Sequence, residues 1–431
     1  MMRVLISAYA FNPSSSRKLH PGEDLFGWKM VEQISRHHRI WVLTESYNQE
    51  SVLEALEQRA SRNINHINII FIQLPFNLRK IFYKVEFAQR IYYYLWQFLA
   101  WLKARELHRK YQFDLAHHLT FGNYWIPSFI GAFLPVRFIW GPVGGGQQTP
   151  KPLLREFSFW GRLAEKFRRG AQWLSRQQFI WHRCLRKACL ILVCNQETKE
   201  KIPRKFQSKV RLFPVNGIDR RDIRRGRLGR CRQKDFLVMM AGRLHRLKGF
   251  SLGLRAFSHF IQFHPEARLL IVGTGPEEKG LIRLAEELGV RDRVVFFPWL
   301  PREKLLAEMK KIDVFLFPSF RDGGGAVVIE AMACGKPVVC LDAGGPGVHV
   351  KEEWGIKIPP ASPKIIIQQI VAALERLYRD PQLCLEMGEA ARKRVNEVYT
   401  WEKLGLKMAE FYQECVRLKN ELSRPRRKVS P

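Results

Sequence analysis

The segment RDGGGAVVIEAMACGKPVV, 321–339, sets seven residues between two carboxylates, Asp322 and Glu330, and fills the gap with three glycines and an apolar run. The preceding VFLFPS predicts a strand ending at Ser319, and AVVIEAMACG carries helical spacing, so the glycines form the loop by which a strand enters a helix. A helix entered in this way starts with bare backbone N–H groups, and such an end binds anions. Lacking Cβ atoms, the loop lets a diphosphate approach the backbone closely. Glu330 falls nearly two turns along the expected helix, where a carboxylate suits hydroxyl groups better than phosphates. Its plainer use is to pair with a neighbouring cation.

A second segment supplies the counter-charge. GRLHRLKG, 242–249, follows the expected strand FLVMMAG, which places Arg243 and Lys248 at a strand C-terminal end, the side on which open parallel sheets bind ligands. Arg offers a planar fork and Lys a point charge, and together they can stabilise a departing diphosphate electrostatically. In so basic a chain the alternative is a solvated surface pair. GTGPEEKGL, 273–281, also follows a strand, but Glu278 stands where a dinucleotide fingerprint needs its third glycine. Gly273 and Gly275 therefore read as a tight strand-to-helix turn at the cleft edge. In DLAHHLTFGNYW, 114–125, His117 and His118 end a strand and point to opposite faces, so one can reach a cleft while the other packs beneath the loop. The loop WGPVGGGQQTP, 140–150, with Gly144 and Gly145, faces the cleft on the other lobe or serves as a hinge.

These groups need a scaffold. The 431 residues, 46% of them hydrophobic, allow two to three domains with full-sized cores. Short, nearly continuous apolar strands alternate with helices, which argues for buried parallel sheets. Val4 to Ala8 opens the series with a helix from about Leu25 to Arg36; IWVLT, INIIFIQL, DLAHHL, RFIWGPV, ACLILVCN and KVRLFPV follow. The arginine-rich stretch 216–235 reads as a linker, after which FLVMMAG, ARLLIVG, RVVFFPW, VFLFPS and PVVCL form a second series. The fold class is therefore α/β, with two doubly wound Rossmann-like units facing each other across a cleft. Residues 1–216 form the first unit and 217–397 the second; a helix over 398–422 returns to the first, and 423–431 is a basic tail. Hinges are expected near 216–230 and Tyr399.

Lys plus Arg number 72 against 40 Asp plus Glu, and the formal charge of +32 predicts attraction to anionic lipid, phosphorylated substrates or nucleic acid. The eight cysteines, at 184, 189, 194, 231, 334, 340, 384 and 415, show no C-x-x-C pair, which indicates a reduced, cytoplasmic setting. The opening MMRVLISAYAFNP is too short for a signal-peptide core. IYYYLWQFLAWL, 91–102, has 12 residues where a membrane span needs about 20. Segments 80–111 and 162–183 mix aromatic residues with Lys and Arg, as helices lying in a membrane interface do, although helices packed on a sheet with basic edges would read the same way.

GRLHRLKG, LLIVGTGPE, RVVFFPWLPREKL, the acid-x7-acid segment ending in EAMACGKPVV, and YTWEK together resemble family 4 glycosyltransferases of the GT-B fold over roughly 209–403. The first unit resembles them more loosely, through its glycine loop HPGEDLFGW, the HH pair and NGID. The resemblance implies sugar transfer from a nucleotide-diphosphate donor with retention of configuration, without a cofactor or a bound metal; no D-x-D occurs in the chain. Arg243 and Lys248 would neutralise the diphosphate, Glu330 would meet the ribose hydroxyls, and Asp322 would hold donor-sugar hydroxyls. Backbone groups of Gly324, Gly325 and Ala326 would lie near sugar and phosphates, while Gly273, Gly275, Trp299 and Leu300 would border the nucleoside. A histidine, His118 rather than His117, would reach the reacting centre, and Gly22 would line the acceptor side. Two departures stand out: Asp322 replaces the usual Glu, one methylene shorter, and the contact near His349 does not carry over. The expected partners are a nucleotide sugar, a glycan or lipid-linked acceptor of the cell envelope and an anionic inner-membrane surface, with no specific nucleic acid. The competing reading is a catalytically inactive GT-B scaffold that binds polyanions.

Overall fold

The computed structural model describes residues 1–13, 21–58, 66–75, 82, 86–224 and 235–422. Residues 14–20, the linker portion 225–234 and the basic tail 423–431 lie outside the described residues. Apolar runs form the strands as their burial demands. β1 (Arg3–Ser7), β2 (Arg39–Glu45), β3 (Ile67–Ile72), β4 (Leu115–His118), β5 (Arg137–Val143), β6 (Ala188–Val193) and β7 (Val210–Leu212) make one parallel sheet in the order β3-β2-β1-β4-β5-β6-β7. β8 (Leu237–Ala241), β9 (Arg268–Val272), β10 (Val294–Phe297), β11 (Val314–Phe317), β12 (Val338–Leu341) and β13 (Gly355–Ile358) make a second, in the order β10-β9-β8-β11-β12-β13. β13 is an edge strand that the sequence reading missed, because GIKI is short, carries Gly and Lys, and leaves its two central residues half-exposed.

In each sheet the order reverses once, beside β1 and β4 in the first and beside β8 and β11 in the second. A crevice opens at the strand ends where such a reversal occurs, and these crevices carry the loops of interest. Helices cover both faces of the sheets. On one face of the first sheet lie the helix Pro21–Ser35 and the C-terminal helix Trp401–Leu422, sharing a core that includes Ile6, Val31, Leu404 and Phe411. On the other lie Glu86–Tyr111, Phe129–Phe133 and Phe179–Lys187.

Three boundaries differ from expectation. The first helix starts at Pro21, before its apolar positions begin, with Glu23 and Asp24 in a first turn that favours negative charge. The stretch read as a linker holds a short helix, Arg220–Arg224. The final helix begins only at Trp401, because residues 399 and 400 run beside the other crossover: Ile218 N donates to Tyr399 O at 2.9 Å, Trp401 N donates to Ile218 O at 3.2 Å, and Ile218 pairs with Thr400. The two connections between lobes are thus bonded to each other. A Cβ on Gly217 would lie 2.7 Å from the Trp401 ring, which shows how closely they approach.

Candidate functional site

The C-terminal ends of the two sheets face a cavity of about 760 Å³. That size suits a nucleotide-sized ligand. Arg243, Lys248, Asp322, Glu330, Trp299 and Leu300 line it from the second lobe, together with the backbone of Gly324, Gly325 and Ala326; Gly22, Gly144 and Gly145 line it from the first. Residues separated by more than 300 positions therefore meet in one space.

The loop after β8 turns at Gly249, whose φ of +68° places its α-carbon where a side chain would strike the carbonyl of Pro318. This close approach seats Lys248 against the glycine loop after β11, where its ammonium bonds Asp322 Oδ2. Asp322 Oδ1 accepts from Gly325 N at 2.7 Å and Gly324 N at 3.1 Å. Burial would raise the Asp322 pKa, but the charge and hydrogen bond of Lys248 and the two N–H donors outweigh it and hold the carboxyl below its ordinary range. The N–H groups expected to be bare are in this way occupied by the chain's own Asp322. The helix proper runs Ala326–Ala333 and receives no side-chain cap from Gly325, whose φ is +59°. Because the loop stays non-helical through Gly325, Glu330 sits about one turn into the helix rather than nearly two.

Glu330 Oε1 accepts from Arg302 Nε at 2.8 Å, and the same guanidinium donates to Asp222 Oδ2 at 2.7 Å. Burial pushes the Glu330 carboxyl above its ordinary pKa; Arg302 opposes the rise and Asp222 adds to it. Sequence reasoning missed Arg302 and Asp222. The only signal was a lone Arg beside the Trp299–Leu300 segment and an acid within the crossover.

The glycine loop is also held from below. Gly324 O accepts from Asn216 Nδ2 at 2.8 Å and from His349 Nε2 at 2.9 Å, while His349 Nδ1 takes the Tyr399 hydroxyl at 3.0 Å. Burial drives the His349 pKa down to about 4, so the ring is neutral and this network sets its tautomer. Across the cleft, Asn195 Nδ2 donates to Gly323 O at 3.2 Å and Glu197 Oε1 accepts from Gly344 N at 2.5 Å.

Three expected positions fall elsewhere. Gly273 and Gly275 lie behind the cavity wall, where side chains would collide with the carbonyls of Gly242 and Leu244; they let the Arg243 turn pack down and do not touch the cavity. His118 is 1% exposed and turned into the aromatic core, 3.3 Å from the Tyr93 hydroxyl, because the pleat at the end of β4 points it away from the crevice. Burial drives its pKa down to about 3. His117 points to the opposite face, between Gly141 O at 2.6 Å and the Tyr412 hydroxyl at 2.7 Å. The strand end instead presents Leu119 and Thr120 to the cavity. Among the described residues, no three His, Cys, Asp or Glu side chains gather in a way that could hold a metal ion.

Residues 229–394 match the family described as Glycosyl transferases group 1. D-inositol 3-phosphate glycosyltransferase of Streptomyces bingchenggensis is 33% identical over 219 residues, 48% of this chain and 47% of that protein. GDP-mannose-dependent alpha-(1-6)-phosphatidylinositol monomannoside mannosyltransferase of Mycolicibacterium smegmatis is 32% identical over 183 residues, 41% of this chain and 47% of that protein. The chain spans about half the length of the curated relatives it matches. Sucrose-phosphate synthase from Thermosynechococcus elongatus superimposes over 97% of this chain and 100% of its own, with a TM-score of 0.63 and 19% identity. A glycosyltransferase from Rickettsia africae does so over 96% and 99%, with a TM-score of 0.64 and 14% identity. Both sheets, their order and the cleft between them are those of the GT-B fold, and the second lobe carries the match to the group 1 glycosyl transferases.

Proposed function

We propose that this chain is a retaining, metal-independent glycosyltransferase that moves a sugar from a nucleotide-diphosphate donor to a glycan or lipid-linked acceptor at a membrane surface. The reading rests above all on the meeting of Arg243, Lys248, Asp322, Glu330 and the glycine-entered helix in one cavity faced by first-lobe loops. A diphosphate bound there competes with Asp322 for the Lys248 ammonium and takes Arg243 as a second cation. Charge that builds on the leaving diphosphate is met by these two cations, with the helix start beyond the two N–H groups held by Asp322 adding its dipole. Arg302 fixes one oxygen of Glu330 and so orients the carboxylate toward ribose hydroxyls. Asp322, freed from Lys248, offers its carboxylate to hydroxyls of the donor sugar. The two side-chain cations supply the positive charge that a divalent ion would otherwise bring. The relative named for GDP-mannose supports a nucleotide-sugar donor. First-lobe loops around Gly22 and Gly144 shape the acceptor side, and lobe closure excludes water that would hydrolyse the donor.

The test is a screen of UDP-, GDP- and ADP-sugars with release of free nucleotide as the readout, run beside thermal shift. A fitting donor raises the melting temperature through linkage. Lys248→Ala and Glu330→Ala should each lose most activity while keeping native circular dichroism. Full activity in both variants would reject the site, and no response to any nucleotide would favour a polyanion-binding scaffold.

A further inference from the structure

The helix Phe159–Ser175 is turned inside out. Its polar residues face the protein: Glu165, Gln172 and Ser175 are buried. Gln172 Nε2 donates to Gly145 O at 3.0 Å, Arg168 donates to Gln147 O at 3.2 Å, and Ser175 Oγ donates to Trp125 O at 2.6 Å. Glu165 bridges Arg168 and Arg321, the residue before Asp322. The aromatic residues face outward. Phe159, Trp160, Phe167, Trp173, Leu174 and, past the turn, Phe179 are between 59% and 74% exposed. Helical spacing gathers Phe159, Trp160, Phe167 and Leu174 on one side and sets Arg162, Lys166 and Arg169 along its flank.

A second row continues the surface. Ile91, Leu95, Phe98 and Leu102 recur at helical spacing along Glu86–Tyr111 and are 41% to 45% exposed. The Tyr94 hydroxyl of that helix lies beside the Ser175 and Gln178 side chains, so the two rows adjoin at the end of the inverted helix. Beside Phe179, a hollow of about 390 Å³ is lined by Gln177, Phe179, His182, Arg186, Lys205 and Phe206. It combines phenyl walls with cationic groups, and Lys205 Nζ stands 5.2 Å from the Phe206 ring centre.

Soluble monomers rarely expose apolar patches of this kind, so something covers it. A second copy would set Arg162 and Lys166 of one basic chain against their own counterparts, at a formal charge of +32 each. An anionic bilayer takes the same residues without that conflict: aromatic and aliphatic side chains enter the headgroup and acyl boundary, and Lys and Arg meet lipid phosphates. Among the described residues no helix is long and apolar enough to cross a membrane, so contact by these helices would be one-sided.

We propose that the outward faces of Phe159–Ser175 and Glu86–Tyr111 dock on an anionic lipid surface, and that the hollow beside Phe179 receives a lipid phosphate headgroup. This gives the membrane-surface acceptor proposed above a physical place and rests on that reading for its purpose. Through Gln172, Arg168 and Glu165 the docked helix bears directly on the cleft loops at 145–147 and 321–325.

The test is flotation of the full chain with vesicles of phosphatidylcholine alone and with about one third phosphatidylglycerol. The protein floats with the anionic vesicles and releases as salt rises. Trp160→Ser, Phe167→Ser and Leu174→Ser combined lowers partition about tenfold or more while the nucleotide-induced thermal shift is retained. Arg186→Glu with Lys205→Glu removes the preference for anionic vesicles, a second readout should the triple variant fold poorly. Failure of the parent chain to float, or unchanged flotation of both variants, overturns the proposal. Dimers in light scattering that the triple variant abolishes, without flotation, would assign the face to a second copy instead. Sugar transfer to a soluble acceptor is assayed separately: transfer without flotation removes only the docking surface, and flotation without transfer removes only the transferase reading.

Discussion

Arg302→Met isolates the role of the guanidinium that joins Glu330 to Asp222, at 2.8 Å and 2.7 Å, because Met keeps the apolar stem and removes the charge. Removing one partner of a buried pair costs about 3–5 kcal/mol, since the other charge stays desolvated. The Arg302 side chain is 29% exposed, against 15% for Glu330 and 13% for Asp222. Partial solvation brings the expected loss nearer about 2 kcal/mol. For a lobe of this size that lowers the melting temperature by about 4–8 °C at neutral pH. The pH dependence has a fixed sign. Glu330 already holds its proton more tightly when folded than the ordinary carboxyl does, and without Arg302 this strengthens. A carboxyl with a raised folded pKa loses stability as pH rises above its unfolded value, so the variant's deficit is largest at neutral pH and shrinks toward about pH 4.5. Thermal melts by circular dichroism at both pH values measure it, and nucleotide-sugar affinity, expected to weaken about tenfold through loss of one charge-assisted contact, is read by calorimetry. Equal melting temperatures at neutral pH, or a deficit that does not change with pH, would refute the reasoning.

Three further outcomes follow from the same geometry. His118→Ala should destabilise the chain by roughly 1–3 kcal/mol, through a small cavity and an unpaired Tyr93 hydroxyl, and leave nucleotide binding unchanged; lost binding in a stable variant would return His118 to the cleft. His117 and His349, neutral when folded with pKa values pushed down to about 4 by burial, bind fewer protons than in the unfolded chain, so stability should fall as pH drops from about 6.5 toward 4. His349→Gln should make that fall shallower in denaturant titrations, and an unchanged slope would count against it. Asn216→Ala frees one anchor of the Gly324 carbonyl, 2.8 Å away, and should raise the donor KM about five- to tenfold with a smaller change in stability; an unaltered KM would mean that His349 suffices to hold that carbonyl.

The parts of this protein legible in its sequence are those fixed by near neighbours in the chain. Apolar runs gave the strands of both sheets except β13, whose half-exposed edge position weakens the pattern. The glycine loop, Arg243 and Lys248 were legible because each follows directly from a strand end, and the two segments meet through the sheet order β8-β11. Pairing was not legible. That Asp322 occupies both Lys248 and the loop's N–H groups depends on a contact across 74 positions, and Arg302 reaches acids from two other elements. His118 failed for a different reason: alternation says that two adjacent side chains part, but only the twist of the finished sheet says which one meets the crevice. In the helix Phe159–Ser175 the mixture of aromatic and basic residues was visible, whereas the direction each face takes was set by the loops waiting to accept Glu165 and Gln172.

The last helix, Trp401–Leu422, contributes Leu404, Met408, Phe411 and Tyr412 to the interior of the lobe that begins the chain. During synthesis the opening lobe therefore cannot finish assembling while the ribosome is still making the closing one; it must wait, with a strip of its interior uncovered, until residues 401–422 emerge. A nascent chain stalled before Trp401 should be held by chaperones and cut readily by protease within its first 216 residues, and release of the remaining segment should end both together.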